Sequence, residues 1–270
     1  MTQVIENCGD KIGLLAVRAM LYEVSAAPKP GLVDRFGSNA HKDMDVFTFI
    51  DSSTTLMPYF KNCFYLGAKK IPIEQLLPEL KPIGILAEQQ MYAATGGVNT
   101  HKGLIFSLGL ICASLGFHIS DLTFDDSYEW VDKVCQTVAM CVKPHFESEI
   151  EILSSSKTYG SKQYVAHGRL GARGQALAGY LHLREVALPR LISALDRDKL
   201  TYNDAMLVTL LELISSLDDS NVMGKWGERT LLESQLHAQQ VLKLGHFLTA
   251  EGRAAYVAYC EWSLQEDRKS

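Results

Sequence analysis

The stretch Tyr202-Asn-Asp-Ala-Met-Leu-Val-Thr-Leu-Leu-Glu-Leu-Ile-Ser-Ser-Leu217 decides the fold class. Its apolar residues return at helical spacing, and no glycine or proline interrupts them. Similar patterns run from Arg229 to Leu244 and from Ala250 to Leu264. Working back along the chain, helical patterns also occur near Leu188–Leu195, Ala176–Val186, His145–Leu153 and Ser127–Val142. Gly103–Phe117 is the longest apolar stretch, too short for the ~20 residues that span a bilayer, and reads as a buried helix. Strand-like alternation bounded by tight turns is nearly absent. The expectation is an all-α fold in one domain covering residues 1–270, with no repeat and no linker.

The N-terminal half adds further helices. Asp10 is placed to cap a first helix carrying Ile12, Leu14, Leu15, Val17, Ala19, Leu21 and Val24 on a wide apolar face. A second helix is expected to hold Val46, Phe47, Phe49, Ile50, Leu56 and Phe60, with Asp43 or Asp45 at its start. Ile71–Pro82 is punctuated by prolines, so a short helix is expected only from Ile83 to Ala94. Gly96-Gly97 ends it, and Asn99 or Thr100 is placed to cap the buried helix that follows.

Composition sets limits. The chain has 270 residues, 47% of them hydrophobic, and a net charge of −5. That balance argues against broad binding to nucleic acid or to an anionic membrane, which calls for basic stripes. Six cysteines are scattered without a Cys-x-x-Cys pair, which suits buried thiols in a reducing cytoplasm rather than a zinc site or a disulfide frame. Met1–Lys11 lacks the basic flank and apolar core of a secretion signal.

Charge concentrates instead in one connecting segment. Glu23-Val-Ser-Ala-Ala-Pro-Lys-Pro-Gly-Leu-Val-Asp-Arg-Phe-Gly-Ser-Asn-Ala-His-Lys-Asp-Met-Asp45 places two prolines around Lys29, which no helix continues through. Glu23, Asp34, Asp43 and Asp45 stand there among Lys29, Arg35, His41 and Lys42. Mixed charge on a stiff connection suggests a site for an anionic, metal-bound ligand.

Pro28-Lys-Pro-Gly-Leu-Val-Asp34 and Asn39-Ala-His-Lys-Asp-Met-Asp45 resemble the signature of the triphosphoribosyl-dephospho-coenzyme A synthase family. Gly97-Val-Asn-Thr-His-Lys-Gly103 resembles its second hallmark, and Gly171-Ala-Arg-Gly174 and Asp219-Ser-Asn-Val222 follow in the expected order. The resemblance implies that ATP gives up adenine and that its triphosphorylated ribose joins the 2′-hydroxyl of 3′-dephospho-coenzyme A. The product would be the precursor of a prosthetic group on an acyl carrier subunit, as in citrate lyase or malonate decarboxylase. It implies Mg²⁺ with the ATP.

That reaction needs cations for the triphosphate, a proton for the leaving adenine and a base for the hydroxyl. Lys29, Arg35, Lys42, Asn99, Lys102, Arg173, Asn221 and Lys225 are the candidates for substrate binding. Asp34, Asp43, Asp45 and Asp219 are the candidates for the metal. Glu23 is the candidate base or stabiliser of an oxocarbenium-like sugar, and His41 and His101 are placed to move protons near neutrality.

Each has a plainer reading. Acids at helix starts cap, Pro28–Gly31 ends a helix, and Arg173 between glycines marks a turn. The sequence also departs from the family pattern. Gln175 stands where an acid is common, and Lys225-Trp226-Gly227 replaces an arginine followed by two glycines; Trp226 is placed either to stack on a purine or to pack in the core. The competing readings are a nucleosidase-like hydrolase or another ATP-using ribosyltransferase, and an inactive nucleotide-binding helical protein.

Overall fold

The computed structural model describes residues 2–37, 41, 43–121, 128–146 and 171–267. Among them there is no strand, only an isolated bridge between Asp34 and Gly37. The all-α expectation holds. The eleven α-helices among the described residues are α1 (Thr2–Ser25), α2 (Val46–Thr55), α3 (Met57–Ala68), α4 (Ile73–Ala94), α5 (Lys102–Phe117), α6 (Glu129–Val142), α7 (Gly171–Leu177), α8 (Leu188–Asp196), α9 (Tyr202–Ser216), α10 (Ser220–Lys243) and α11 (Ala250–Asp267).

The contacts gather into two compact units. One comprises Met1–Leu21 with Phe47–Tyr180, and the other Tyr22–Val46 with Leu181–Ser270. Each has its own apolar core. The first is centred on Phe60, Cys63, Met91, Ile105 and Val138, the second on Leu207, Val208, Leu211, Val241 and Tyr259. No Pro/Gly-rich linker announces this division, because the second unit is assembled from two stretches distant in sequence.

In the first unit, α3 and α5 approach closely enough to require glycine. A Cβ on Gly67 would sit 1.8 Å from the Ala113 carbonyl oxygen, and one on Gly116 only 2.0 Å from that of Phe64. The glycines lie on both helices, so the two backbones touch directly. This packing makes Gly103–Phe117 a buried helix, as its composition indicated.

Several boundaries differ from the sequence reading, each for a local reason. α1 runs through Asp10, which pairs with Lys61 rather than capping a helix. The expected helix from Val46 to Phe60 is two helices meeting at Leu56. Pro58 has no N–H for the Thr54 carbonyl, so the ladder stops there and restarts with proline in its first turn.

α4, by contrast, continues through Pro78 and Pro82. Both prolines are exposed, and the Glu74 carbonyl that Pro78 leaves without a donor receives the His145 Nε2–H at 2.5 Å. Such outside donors let a helix survive proline. The helix expected over Ala176–Val186 is broken in two: α7 ends at Leu177, and helix resumes at Leu181, passing through π geometry over Leu183–Ala187 into α8. Tyr180 N–H donates to the Gln175 carbonyl at 2.8 Å and Gly179 N–H to that of Ala176 at 3.0 Å, while Gly179 has a φ of +61°. This is a left-handed glycine cap, and Ala178-Gly179 was its signal. Of the helix expected over His145–Leu153, His145 closes a 3-10 turn (Lys143–His145) and Phe146 is helical; the rest lies outside the described residues.

Replacing Gly116 with alanine is expected to destabilise the protein by about 1–3 kcal/mol, the usual cost of overpacking. Gly103→Ala, where an added Cβ meets nothing within 4 Å, is expected to be near neutral or mildly stabilising. Denaturant titration of both variants checks the pair.

Candidate functional site

The two motif-bearing regions fall in different units, and each builds its own constellation. In the second unit, the charged connection is held by a buried cation and a buried anion. The Lys29 side chain is 3% exposed, and its Nζ donates to Glu23 Oε1 at 2.5 Å and to the Glu23 carbonyl at 2.9 Å. The Glu23 carboxylate itself remains 59% exposed. One edge of it is therefore fixed while the rest faces solvent.

Asp34 is only 2% exposed. Its Oδ2 accepts from the Lys29 N–H at 2.7 Å and its Oδ1 from the Phe36 N–H at 2.8 Å. A carboxylate receiving two backbone amides in this way shapes the loop it belongs to. Asn203, in the first turn of α9, completes the hold: its side-chain amide accepts from the Ala27 N–H at 2.9 Å and donates to the Ala27 carbonyl at 3.0 Å. The Tyr256 hydroxyl, from α11, donates to the Pro28 carbonyl. Sequence reasoning missed Asn203 and Tyr256, since nothing in their local pattern separates them from ordinary helix residues. Arg35 donates through Nη1 to the Ser25 carbonyl at 2.6 Å and to Asn203 Oδ1 at 3.1 Å.

Further along, His41 Nδ1 lies 3.9 Å from Asp43 Oδ1. Burial and the Lys225 ammonium hold the His41 pKa below its ordinary value, against the opposing pull of Asp43. The first and last motif blocks thus meet electrically within this unit. Lys225 Nζ lies 4.4 Å from the centre of the Trp226 ring. Asp219 Oδ1 accepts from the Val222 N–H at 3.2 Å, the capping role that its position allowed. Asn221 lies in the first turn of α10. Asp45 immediately precedes α2. Lys42 lies outside the described residues.

The first unit carries the Asn99–Lys102 block at the start of α5. Asn99 Oδ1 accepts from the Lys102 N–H at 3.2 Å and so serves the first amide of α5, but the cap position expected at Asn99 or Thr100 is His101, whose side chain makes no capping bond. Thr100 Oγ1 donates to Ser52 Oγ at 2.7 Å, and Ser52 Oγ lies 2.7 Å from His101 Nδ1. With Thr100 donating, the Ser52 hydroxyl has its own proton for Nδ1, and the ring hydrogen belongs on Nε2. His101 is 7% exposed, packs edge-on against Phe49, and is pushed down to about 4 by burial.

This corrects the expectation that His101 titrates near neutrality, because a desolvated imidazolium is disfavoured. At pH 7 the ring is neutral. Lys102 Nζ pairs with Glu88 Oε2 at 2.7 Å. One turn along α5, the guanidinium of Arg173 lies 5.4 Å from the Phe106 ring centre. Gly171–Gly174 is the opening of helix α7 rather than a turn. Lys102 and Arg173 therefore mark the same stretch of α5, since residues four apart share a helix face.

The four cysteines Cys63, Cys112, Cys135 and Cys141 are buried, and all six are free thiols. Among the described residues, no three His, Cys, Asp or Glu side chains form a set able to hold a metal ion. No described helix is long and apolar enough to cross a membrane.

The model of the ATP:dephospho-CoA triphosphoribosyl transferase family matches residues 9–268. The chain belongs to this family. A Vibrio cholerae relative named "Probable 2-(5''-triphosphoribosyl)-3'-dephosphocoenzyme-A synthase" is 40% identical over 253 residues, covering 92% of this chain and 79% of its own. A Pectobacterium atrosepticum relative named "2-(5''-triphosphoribosyl)-3'-dephosphocoenzyme-A synthase" is 38% identical over 226 residues, covering 83% of this chain and 73% of its own. No solved structure matches. The family match bears out the resemblance drawn from the Pro28–Asp34 and Gly97–Gly103 blocks.

The depressed His101 pKa has a consequence for stability. An unfolded chain's histidine takes up its proton near pH 6.5, whereas the buried ring resists until about 4. This contribution to stability is full above pH 6.5 and is lost as pH falls towards 4. The difference in unfolding free energy between the wild type and His101→Asn, which cannot titrate, is expected to move against the wild type across that window. Denaturant unfolding at a series of pH values measures it.

Proposed function

We propose that this chain transfers the triphosphoribosyl group of ATP to the 2′-hydroxyl of 3′-dephospho-coenzyme A, releasing adenine. The observation that carries this reading is the family match over residues 9–268, together with retention of the acids and bases in both long motif blocks. In the reaction, the bond from the anomeric carbon to adenine N9 breaks and a bond to the 2′-oxygen forms. The hydroxyl proton goes to a base on the protein, and adenine departs with a proton of its own. The product serves as a precursor for the prosthetic group of an acyl carrier protein, and the setting that fits is the cytoplasm.

Glu23 is the proposed base. Its geometry supports this assignment: Lys29 grips one carboxylate oxygen, leaving the exposed remainder to approach a hydroxyl or a developing positive charge. Lys29 in this account positions Glu23, and phosphate binding falls to other cations. Arg35 and Lys225, in the same unit as Glu23, are the cations proposed to serve the phosphates. His41 and His101, both neutral at pH 7, act as hydrogen-bonding groups; His101 offers its Nε2–H.

Magnesium would arrive with the triphosphate, whose oxygens supply most of its ligands, and would neutralise phosphate charge. The described carboxylates suit such a shared ion better than a resident one, because no set of three gathers. Asp43, 61% exposed, and Asp45 are the proposed carboxylates. Asp34, with both oxygens engaged by backbone amides, and Asp219, engaged in capping, hold structure.

Incubating the protein with ATP and 3′-dephospho-coenzyme A is expected to release adenine and give a coenzyme product heavier by the triphosphoribosyl group, read by chromatography and mass. Adenine release that proceeds equally without dephospho-coenzyme A would establish the hydrolase instead. Glu23→Gln retains an oxygen for Lys29 and is expected to lower turnover by ~10²–10⁴-fold, the usual range for a lost general base, with ATP affinity unchanged. Kinetics paired with ATP-binding measurements decide the role; near-normal turnover would remove Glu23 from the chemistry.

A further inference from the structure

The second unit contains a cavity of about 250 Å³ whose walls are overwhelmingly apolar. Pro30, Gly31 and Leu32 of the charged connection form one side, and Leu213 and Leu217 of α9 another. Trp226 of α10 and Trp262 and Ser263 of α11 also line it. Gly31, at a φ of +69°, brings its backbone close to α11: a Cβ there would lie 3.3 Å from Ser263 Oγ.

Two of the residues that line this cavity each carry a buried polar atom without a hydrogen-bond partner, Trp226 Nε1 and Ser263 Oγ. Ser263 is 6% exposed. Buried polar groups are ordinarily paired, and an orphan calls for an explanation such as a missing ligand. An indole N–H only donates, so what completes it must bring an acceptor.

We propose that this cavity receives the pantetheine arm of dephospho-coenzyme A, a deepening that rests on the proposed transferase reading. Three features point to that part of the substrate. The leucine-lined walls match the arm's methyl and methylene groups, and its amide carbonyls are the acceptors that Trp226 Nε1 and Ser263 Oγ lack. Asp219 and Glu266 also line the cavity, and their negative charge opposes a phosphate while tolerating a neutral chain. A purine is served less well. One face of the Trp226 ring carries the Lys225 ammonium, and the Tyr259 ring is already stacked on His237, with centroids 5.3 Å apart and planes 9° from parallel.

The cavity wall is also continuous with the catalytic connection. Pro30 directly follows Lys29, the residue that grips Glu23. A seated arm therefore anchors the acceptor substrate on the segment that carries the proposed base. Remote binding of this kind supplies orientation at the reacting hydroxyl.

Steady-state kinetics of Ser263→Ala and Leu213→Phe, with pantetheine itself as a probe, test the proposal. Loss of one neutral hydrogen bond in Ser263→Ala is expected to raise the KM for dephospho-coenzyme A by up to about tenfold. Filling the cavity in Leu213→Phe is expected to raise it further. In both variants the KM for ATP stays unchanged, and thermal melting confirms that they fold. In ligand-observed NMR on the whole protein, pantetheine is expected to bind the wild type, to be displaced by dephospho-coenzyme A and not by adenine, and to bind Leu213→Phe more weakly.

Normal KM values for dephospho-coenzyme A in both folded variants would overturn the proposal and leave the transferase reading standing. Displacement of pantetheine by adenine, or a selective rise in the KM for ATP, would assign the cavity to the purine instead. Pantetheine binding that Leu213→Phe weakens, in a protein that forms no coenzyme product, would support the cavity's ligand while refuting the reaction.

Discussion

A lysine ammonium almost wholly removed from water governs the charged connection. A buried ammonium needs oxygen acceptors in place of water, and Glu23 supplies a carboxylate oxygen and a carbonyl from the last turn of α1. Removing one partner of a desolvated pair leaves an uncompensated charge, which commonly costs ~3–5 kcal/mol when both members are buried. Here the cost is smaller, because Glu23 is largely solvated. A buried cation fixes the carboxylate's place, and exposure leaves most of that carboxylate available.

Around this pair, the loop's conformation is over-determined by groups that belong to distant sequence. Asp34 takes two backbone amides from within the loop, Asn203 takes both backbone groups of Ala27, and Tyr256 reaches Pro28. Each bond alone is worth only ~0.5–1.5 kcal/mol. Together they hold a segment rich in proline and glycine in one shape, against the entropy that such a connection would otherwise retain. The cavity beneath it depends on this hold, since Pro30, Gly31 and Leu32 form its wall.

The reading of helices from sequence succeeded where a single segment decided the matter. Tyr202–Ser216 has its own periodicity and its own cap, with Thr201 Oγ1 accepting from the Asp204 N–H at 3.1 Å. It failed where a second segment cast the deciding vote. Pro78 would normally end α4, but His145, far along the chain, donates to the carbonyl that the proline left unserved. Pro58, lacking such help, ended α2. Identical residues gave opposite outcomes.

The functional residues divide in the same way. The sequence by itself determined the chemistry available: the family blocks, the acids and cations of Glu23–Asp45 and the all-α class, because these depend on residue type and short spacing. Tertiary structure alone decided that Asp34 is engaged by two backbone amides while Glu23 stays largely exposed. It buried His101 beside Ser52 and so kept it neutral, turned Lys29 towards Glu23, and left Trp226 and Ser263 facing a cavity without partners. Burial and pairing are properties of what surrounds a group in space: Ser52 meets His101 from 49 residues away and Asn203 meets Ala27 from 176, beyond the reach of any local pattern.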